Sequence, residues 1–229
     1  MSKKINLFKG LKALYKLSKN KSDNDSYIKV NVYLNGNCIA PTVAEWSKTS
    51  HGKRYLKGER LPLDKKFKKG TVGWVRQQFV GKYDKSIDLV NAPVPKTPYM
   101  AYVNFLQDTH DISHIMSQYG QEGLGELCRI EFEISQSWQR GFQLVSWMFQ
   151  LKALMITKSW KQFQVVRGMI KEAQQRAKVS VNLDMIDWFK YLDEPYEYVR
   201  DSVACVPPYK LYFTNQKWDD WADKHYDAK

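Results

Sequence analysis

The feature that most constrains this chain is a break at Gly120, Gly123 and Gly125. It divides a long helical pattern into two halves that must fold back beside each other. A proline-bearing connector over 91–98 (Pro93, Pro95, Pro98) delivers the chain to the first half, which opens with apolar residues from Tyr99 to Leu106. The second half is predicted to start near Glu122 and to run past Ser135. Residues 138–156, rich in Trp, Phe, Leu and Met, read as a buried core helix. Residues 160–179 form an amphipathic basic helix. Asn182 to Leu192 reads as helical, and Tyr196 to Val203 as a last short helix after Pro195, closed by Pro207-Pro208.

The N-terminal part is less regular. Leu7, Leu11, Leu14 and Leu17 recur at three- and four-residue spacing, which predicts an amphipathic helix from Ile5 to Ser18. The stretch Ser22 to Asp25 follows as a polar turn. Residues 27–35 fit either a short strand or a helix, and Asn35-Gly36-Asn37 is a turn. Gly70-Thr71-Val72-Gly73 leads into a helix from Trp74 to Tyr83. That turn is far too weak a pattern for a phosphate loop. With no internal repeat and no low-complexity linker, the expectation is a mainly α, single all-helical domain over 1–229. Its centre is a pair of helices, and 209–229, with Trp218 and Trp221, is a peripheral tail.

Charge narrows the partners. Lys and Arg exceed Asp and Glu by 12 in 229 residues. Residues 1–22 hold seven lysines and no acid, and nine basic residues lie between Lys48 and Lys69. A basic exterior suits an anionic membrane surface, a phosphorylated ligand or nucleic acid. No nucleic-acid motif is present, so a nucleic-acid partner is not expected. The N-terminal helix is either a surface helix docked on the core or one that also touches an anionic bilayer. Cys38, Cys128 and Cys205 form no C-x-x-C pair and fit a reducing compartment. The most apolar run, 142–156, is broken by Gln143, Ser146, Gln150 and Lys152, so no spanning helix is expected.

One constellation carries chemistry. His110 and His114 stand one helical turn apart, Asp111 is adjacent, and Glu126 arrives from the next helix. Imidazoles with carboxylates suit zinc, manganese or iron, and the lack of thiolates argues against a purely structural zinc cage. On residues alone the cluster is either such a metal site or a hydrogen-bonded polar group. A zinc-protease reading fails, because Asp111 stands where a Glu is required. Glu133, two turns beyond Glu126, is either a surface carboxylate or a group near the ion. His51 and His225 receive no role.

The order His110-Asp111-x-x-His114-x11-Glu126 resembles the signature of the coenzyme Q biosynthesis protein 4 family. Gly70 to Gly73, Ala101-Tyr102-Val103, Gly125-Glu126, Phe132-Glu133, Gln136, Asp187-Trp188 and Pro195 to Arg200 are similar to further pieces of it, in order, over about 5–208. Where that family often carries Arg-Tyr-Arg-Glu, this chain has Asn104 to Asp108. The resemblance implies a divalent ion, zinc before magnesium, manganese or iron, held by His110, Asp111, His114 and Glu126. Glu133 and Gln136 become the candidates for supporting groups, with no catalytic side chain assigned. It further implies ubiquinone-type biosynthesis on a polyprenylated ring precursor, with loss of the C1 carboxyl coupled to hydroxylation. The prenyl tail would lie in an apolar tunnel lined from residues 138–156. The implied state is a homodimer, peripheral to a membrane and associated with other quinone-biosynthesis enzymes. The N-terminus lacks arginine, which favours a bacterial, cytoplasmic protein over a mitochondrial one. The alternative is a non-enzymatic isoprenoid-lipid-binding scaffold for such a complex.

Overall fold

The computed structural model describes residues 6–19, 29–30, 33–34, 39–62, 65–83, 94–137, 140–157 and 159–211. The expected turns at 22–25 and 35–37, and Trp138, Trp218, Trp221 and His225, lie outside them. Among the described residues there is no strand beyond one isolated bridge, between Thr71 and Pro195. The helices are α1 (Leu7–Lys19), α2 (Ala40–Trp46), α3 (Ser50–Leu56), α4 (Val72–Tyr83), α5 (Pro98–Ser117), α6 (Gly123–Gln136), α7 (Arg140–Ile156) and α8 (Trp160–Val179). A 3-10 turn (Leu183–Met185), α9 (Trp188–Tyr191), α10 (Tyr196–Tyr198) and a π turn (Val199–Val203) complete the fold. Of the ambiguous 27–35 stretch, residues 29–30 and 33–34 are helical.

Local chemistry explains the bounds. Thr97 accepts a hydrogen bond from the Met100 N–H, and Pro98, which has no N–H to satisfy, starts α5. Gln118 ends α5 in the left-handed region, at φ 62°. Gly125 is required by close approach, since a Cβ there would collide with the Gly120 carbonyl oxygen. The turn can therefore fold tightly under the first turn of α6, which carries Glu126. The expected helix from Asn182 to Leu192 is instead divided. The Asn182 side chain accepts from the Asp184 N–H, and Ile186 is extended, because a side-chain acceptor competes with the helical ladder.

Helices α5 and α6 are the centre. α2, α3 and α4 lie on α5, whereas α7 and α8 lie on α6. α5 is buried on nearly every side. Trp46, with no exposed surface, packs against Tyr102 and Phe105 with ring centroids 5.2 and 5.3 Å apart. Truncating an aromatic such as Phe105 in this cluster costs about 3–5 kcal/mol. A polar tie fixes the rotation of α5. Asp108 accepts two hydrogen bonds from Arg60, both 2.6 Å, and one from the Tyr55 hydroxyl at 2.8 Å. Arg60 thus turns inward from the basic 48–69 stretch, while Lys48, Arg54 and Lys65 pair at the surface with Glu45, Glu59 and Asp193.

The stretch Asn104 to Asp108 is core apart from half-buried Leu106. The Gly70–Gly73 turn is structural as well. The Val72 and Gly73 N–H groups donate to the Glu194 and Leu192 carbonyls, which leaves neither for an anion.

Candidate metal centre

α5 presents His110 and His114 on one face, and their rings meet edge-on at 4.7 Å between centroids. The glycine turn brings the start of α6 over that face. Glu126 lies in the first turn of α6, where the helix dipole favours a carboxylate. The Nε2 atoms of His110 and His114 lie 3.7 and 3.1 Å from Glu126 Oε1. One ligand atom from each of the three residues falls within a 4.8 Å group. Ligand atoms around one tetrahedral zinc sit roughly 3.3 Å apart, given bonds of about 2.0–2.2 Å. The two observed separations bracket that value.

The hydrogen bonds decide the tautomer of His114. Its Nδ1 lies 2.9 Å from the Tyr119 carbonyl, which can only accept, so Nδ1 carries the proton and Nε2 presents a lone pair. That lone pair points at a carboxylate oxygen. Two acceptors at 3.1 Å repel unless a proton or a metal cation lies between them. Burial lowers the pKa of His114, and the neighbouring Glu126 charge does not restore it. Burial pushes Glu126 up, but the Arg129 guanidinium, with His114, outweighs it and holds the carboxyl well below its usual range. A neutral imidazole facing an ionised carboxylate is the donor set a divalent ion requires. The side chain of His114 is wholly buried, while His110 and Glu126 retain 19% and 23% of their surface. The cluster therefore opens to solvent on one side, as a site with an exchangeable position needs.

Asp111 takes a different place from the other three. Its Oδ1 lies 3.3 Å from His110 Nδ1 and 3.5 Å from Gln121 Nε2, outside the converging group. Burial raises its pKa, but the bond to His110 prevails and the net shift is downward. In this position the carboxylate fixes the His110 tautomer and leaves Nε2 free to ligate.

Glu133 connects to the site through Arg129. Arg129 donates to Glu126 Oε2 from Nη2 at 3.0 Å and from Nε at 3.2 Å, and its Nη1 lies 2.6 Å from Glu133 Oε1. Gln136 is occupied elsewhere. Its amide donates to the Val181 carbonyl at 2.8 Å and accepts from the Leu183 N–H at 3.1 Å, tying the end of α6 to the turn after α8.

Sequence reasoning did not identify Arg129, although a base three residues after Glu126 and four before Glu133 shares their helix face. It also did not single out Asp184, which nothing in its neighbourhood announces. Asp184 accepts a 2.5 Å hydrogen bond from the Tyr102 hydroxyl. Burial pushes it up to about 7, Tyr102 opposes, and the Glu133 charge adds to the rise. His51 has partners after all, with Nε2 3.0 Å from the Asp184 carbonyl and 3.3 Å from Thr49 Oγ1. Burial lowers its pKa.

The expected tunnel wall in 138–156 is corrected in part. Val145, Ser146 and Ala153 face inward, but Trp147, Met148, Leu151, Leu154 and Met155 lie on the outer surface. The polar side of α7 explains this rotation. Ser146 and Gln150 donate to the buried Glu131 carboxylate of α6, which Gln174 of α8 also reaches at 2.7 Å.

Fold and site thus define an all-helical protein with a solvent-open cluster of two histidines and one carboxylate at the meeting of its two central helices. No family model matches the chain, and no curated protein matches it in sequence. Its fold is similar to that of a Nostoc punctiforme PCC 73102 protein provisionally assigned to ubiquinone biosynthesis. The likeness has a TM-score of 0.64 at 17% identity and covers 88% of this chain and 99% of that one.

Proposed function

We propose that His110, His114 and Glu126 hold a divalent metal ion, zinc in the first instance, and that the protein acts in prenyl-quinone biosynthesis of the ubiquinone type. The observation that carries the metal reading is geometric: His110 Nε2 and His114 Nε2 converge on Glu126 Oε1 at 3.7 and 3.1 Å, while His114 Nδ1 is taken by the Tyr119 carbonyl. The fold of the Nostoc protein and the ordered motif His110-Asp111-x-x-His114-x11-Glu126 support the pathway. The substrate proposed is a polyprenylated hydroxybenzoate. Its C1 carboxyl would leave as carbon dioxide, with the ring carbon taking a proton; hydroxylation there would need dioxygen together with a two-electron donor, one oxygen entering the ring and the other leaving as water.

When bound, the ion would supply Lewis-acid polarisation of a carboxylate or phenolate oxygen. The chain does the rest. Tyr119 holds His114 as the Nδ1–H tautomer, Asp111 orients His110, and Arg129 keeps Glu126 ionised and in place.

Metal analysis of the purified protein is the first test; no ion bound and none taken up would overturn the metal reading. The second is complementation of a quinone-deficient strain with His114→Ala. Loss of quinone synthesis with a folded variant is expected. Full complementation would make the ion dispensable and favour the lipid-binding scaffold, which mass spectrometry of a co-purified isoprenoid would identify.

A further inference from the structure

Two neighbouring helices of this protein, α1 and α7, expose apolar side chains and carry no acidic residue of their own. Of the sixteen large apolar side chains most exposed among the described residues, ten belong to α1, α7 and the first residue of α8. On α7 they are Trp147, Met148, Leu151, Leu154 and Met155, which fall within about a 120° arc at 100° per residue. On α1, Leu7, Phe8, Leu11 and Tyr15 fall within about 100°. The two helices adjoin, because Leu144 of α7 and Leu14 of α1 pack on the small cluster of Ala13, Val30 and Leu34. Trp160, 63% exposed, opens α8 beyond them.

The charges have one sign. Neither 6–19 nor 140–171 contains an Asp or Glu. On α1 the buried positions Gly10 and Ala13 form one side and the exposed apolar arc the next. The exposed Lys9, Lys12 and Lys16 continue directly from that arc, beginning about 40° beyond Phe8. An apolar stripe edged by lysines is the pattern of a helix lying in the plane of a lipid interface, with lysine stems along the acyl boundary and ammonium groups at the phosphates. Tryptophan beside such a stripe suits the headgroup level. No described helix is long and apolar enough to cross a membrane, so the contact is one of surface docking.

We infer that α1 and the outer face of α7, with Trp160, form a docking surface for an anionic lipid bilayer. Charge complementarity selects this occupant. A second copy would bring a face of the same positive sign against this one, whereas anionic headgroups neutralise it. The inference rests on surface chemistry and stands apart from the metal centre.

Flotation of the full chain with phosphatidylcholine vesicles, with and without phosphatidylglycerol, tests it. The protein is expected to float with the phosphatidylglycerol vesicles and to stay behind with phosphatidylcholine alone. Removing both charges in K12Q/K16Q should weaken partitioning by roughly 25-fold at low salt, since each basic residue near an anionic surface contributes about fivefold. The L151E/M155E variant should lose flotation while keeping its metal uptake and melting transition. These side chains already face solvent, so folding does not depend on them. No flotation of the unaltered protein, or undiminished flotation of L151E/M155E, would overturn the proposal. So would a wild-type dimer in sedimentation that L151E/M155E converts to monomer, because the face would then belong to a second copy.

Discussion

Replacing Glu126 by Gln separates a ligand from a brace. In the metal-free protein the carboxylate confronts the His114 lone pair at 3.1 Å. A glutamine can turn its amide N–H to that lone pair and gain about 1 kcal/mol as a neutral hydrogen bond. The same change removes charge from the bonds to Arg129, a loss of about 1 kcal/mol. Arg129 retains Glu133 at 2.6 Å, so its own charge stays paired. The net effect without metal is within about 1 kcal/mol, or about 4 °C in Tm for a chain of this size. With zinc at a hundredfold excess over Kd, the unaltered protein gains about 2.7 kcal/mol, a rise of roughly 5–11 °C. The variant, left with two imidazoles, should show almost none of that rise. Calorimetry of stripped and zinc-loaded protein measures both quantities. Because Glu126 titrates below its ordinary 4.5 in the folded state, its contribution is present above that pH and is lost as pH falls through the folded value. E126Q should flatten this acid limb. An intact zinc response together with a metal-free Tm lowered by more than about 10 °C would refute the argument and reduce Glu126 to an ion-pair brace.

Asp111→Ala should lower zinc affinity by about 10–100-fold, as removal of an orienting carboxylate does; isothermal titration giving a loss as large as that of His114→Ala would instead make Asp111 a ligand. Asp184 titrates near 7 rather than at its ordinary 3.8, so the folded state holds a proton that the unfolded chain releases, and stability falls as pH rises from about 4 to 7. Asp184→Asn, which can still accept from Tyr102, should remove that slope and raise stability at pH 8 by up to roughly 4 kcal/mol; denaturant melts across pH that parallel the unaltered protein would contradict this. Asp108→Asn leaves Arg60 and Tyr55 around a neutral group and should lower stability by about 3–5 kcal/mol, read as a drop of roughly 6–20 °C in Tm; a shift under 2 °C would count against Asp108 as the tie between α3 and α5.

By itself the sequence determined the long helices and the face on which the two histidines stand, but not the short helices Ala40–Trp46 and Ser50–Leu56. Both follow from local rules: a 3.6-residue period, Pro98 as a helix start and the glycine break. These act within a few residues and need no partner, which is why Trp160–Val179 matches its expected span and Pro98–Ser117 and Gly123–Gln136 each start within a residue of the expected position. Tertiary structure alone decided what each side chain meets. The spacing placed Asp111 beside the histidines, and its carboxylate meets its immediate neighbour at His110 Nδ1; the path of the 118–122 turn is what brings Glu126 to the ligand side. Gln136 shares the helix of Glu126, yet its amide is taken by the turn after α8. The aromatic and methionine content of α7 suggested a core helix, whereas the buried Glu131 draws Ser146 and Gln150 inward and leaves the apolar stripe outside. Apolar composition measures how favourable burial would be. Which face is buried depends on the polar groups of helices distant in sequence, and a buried carboxylate without its donors costs more than an exposed leucine.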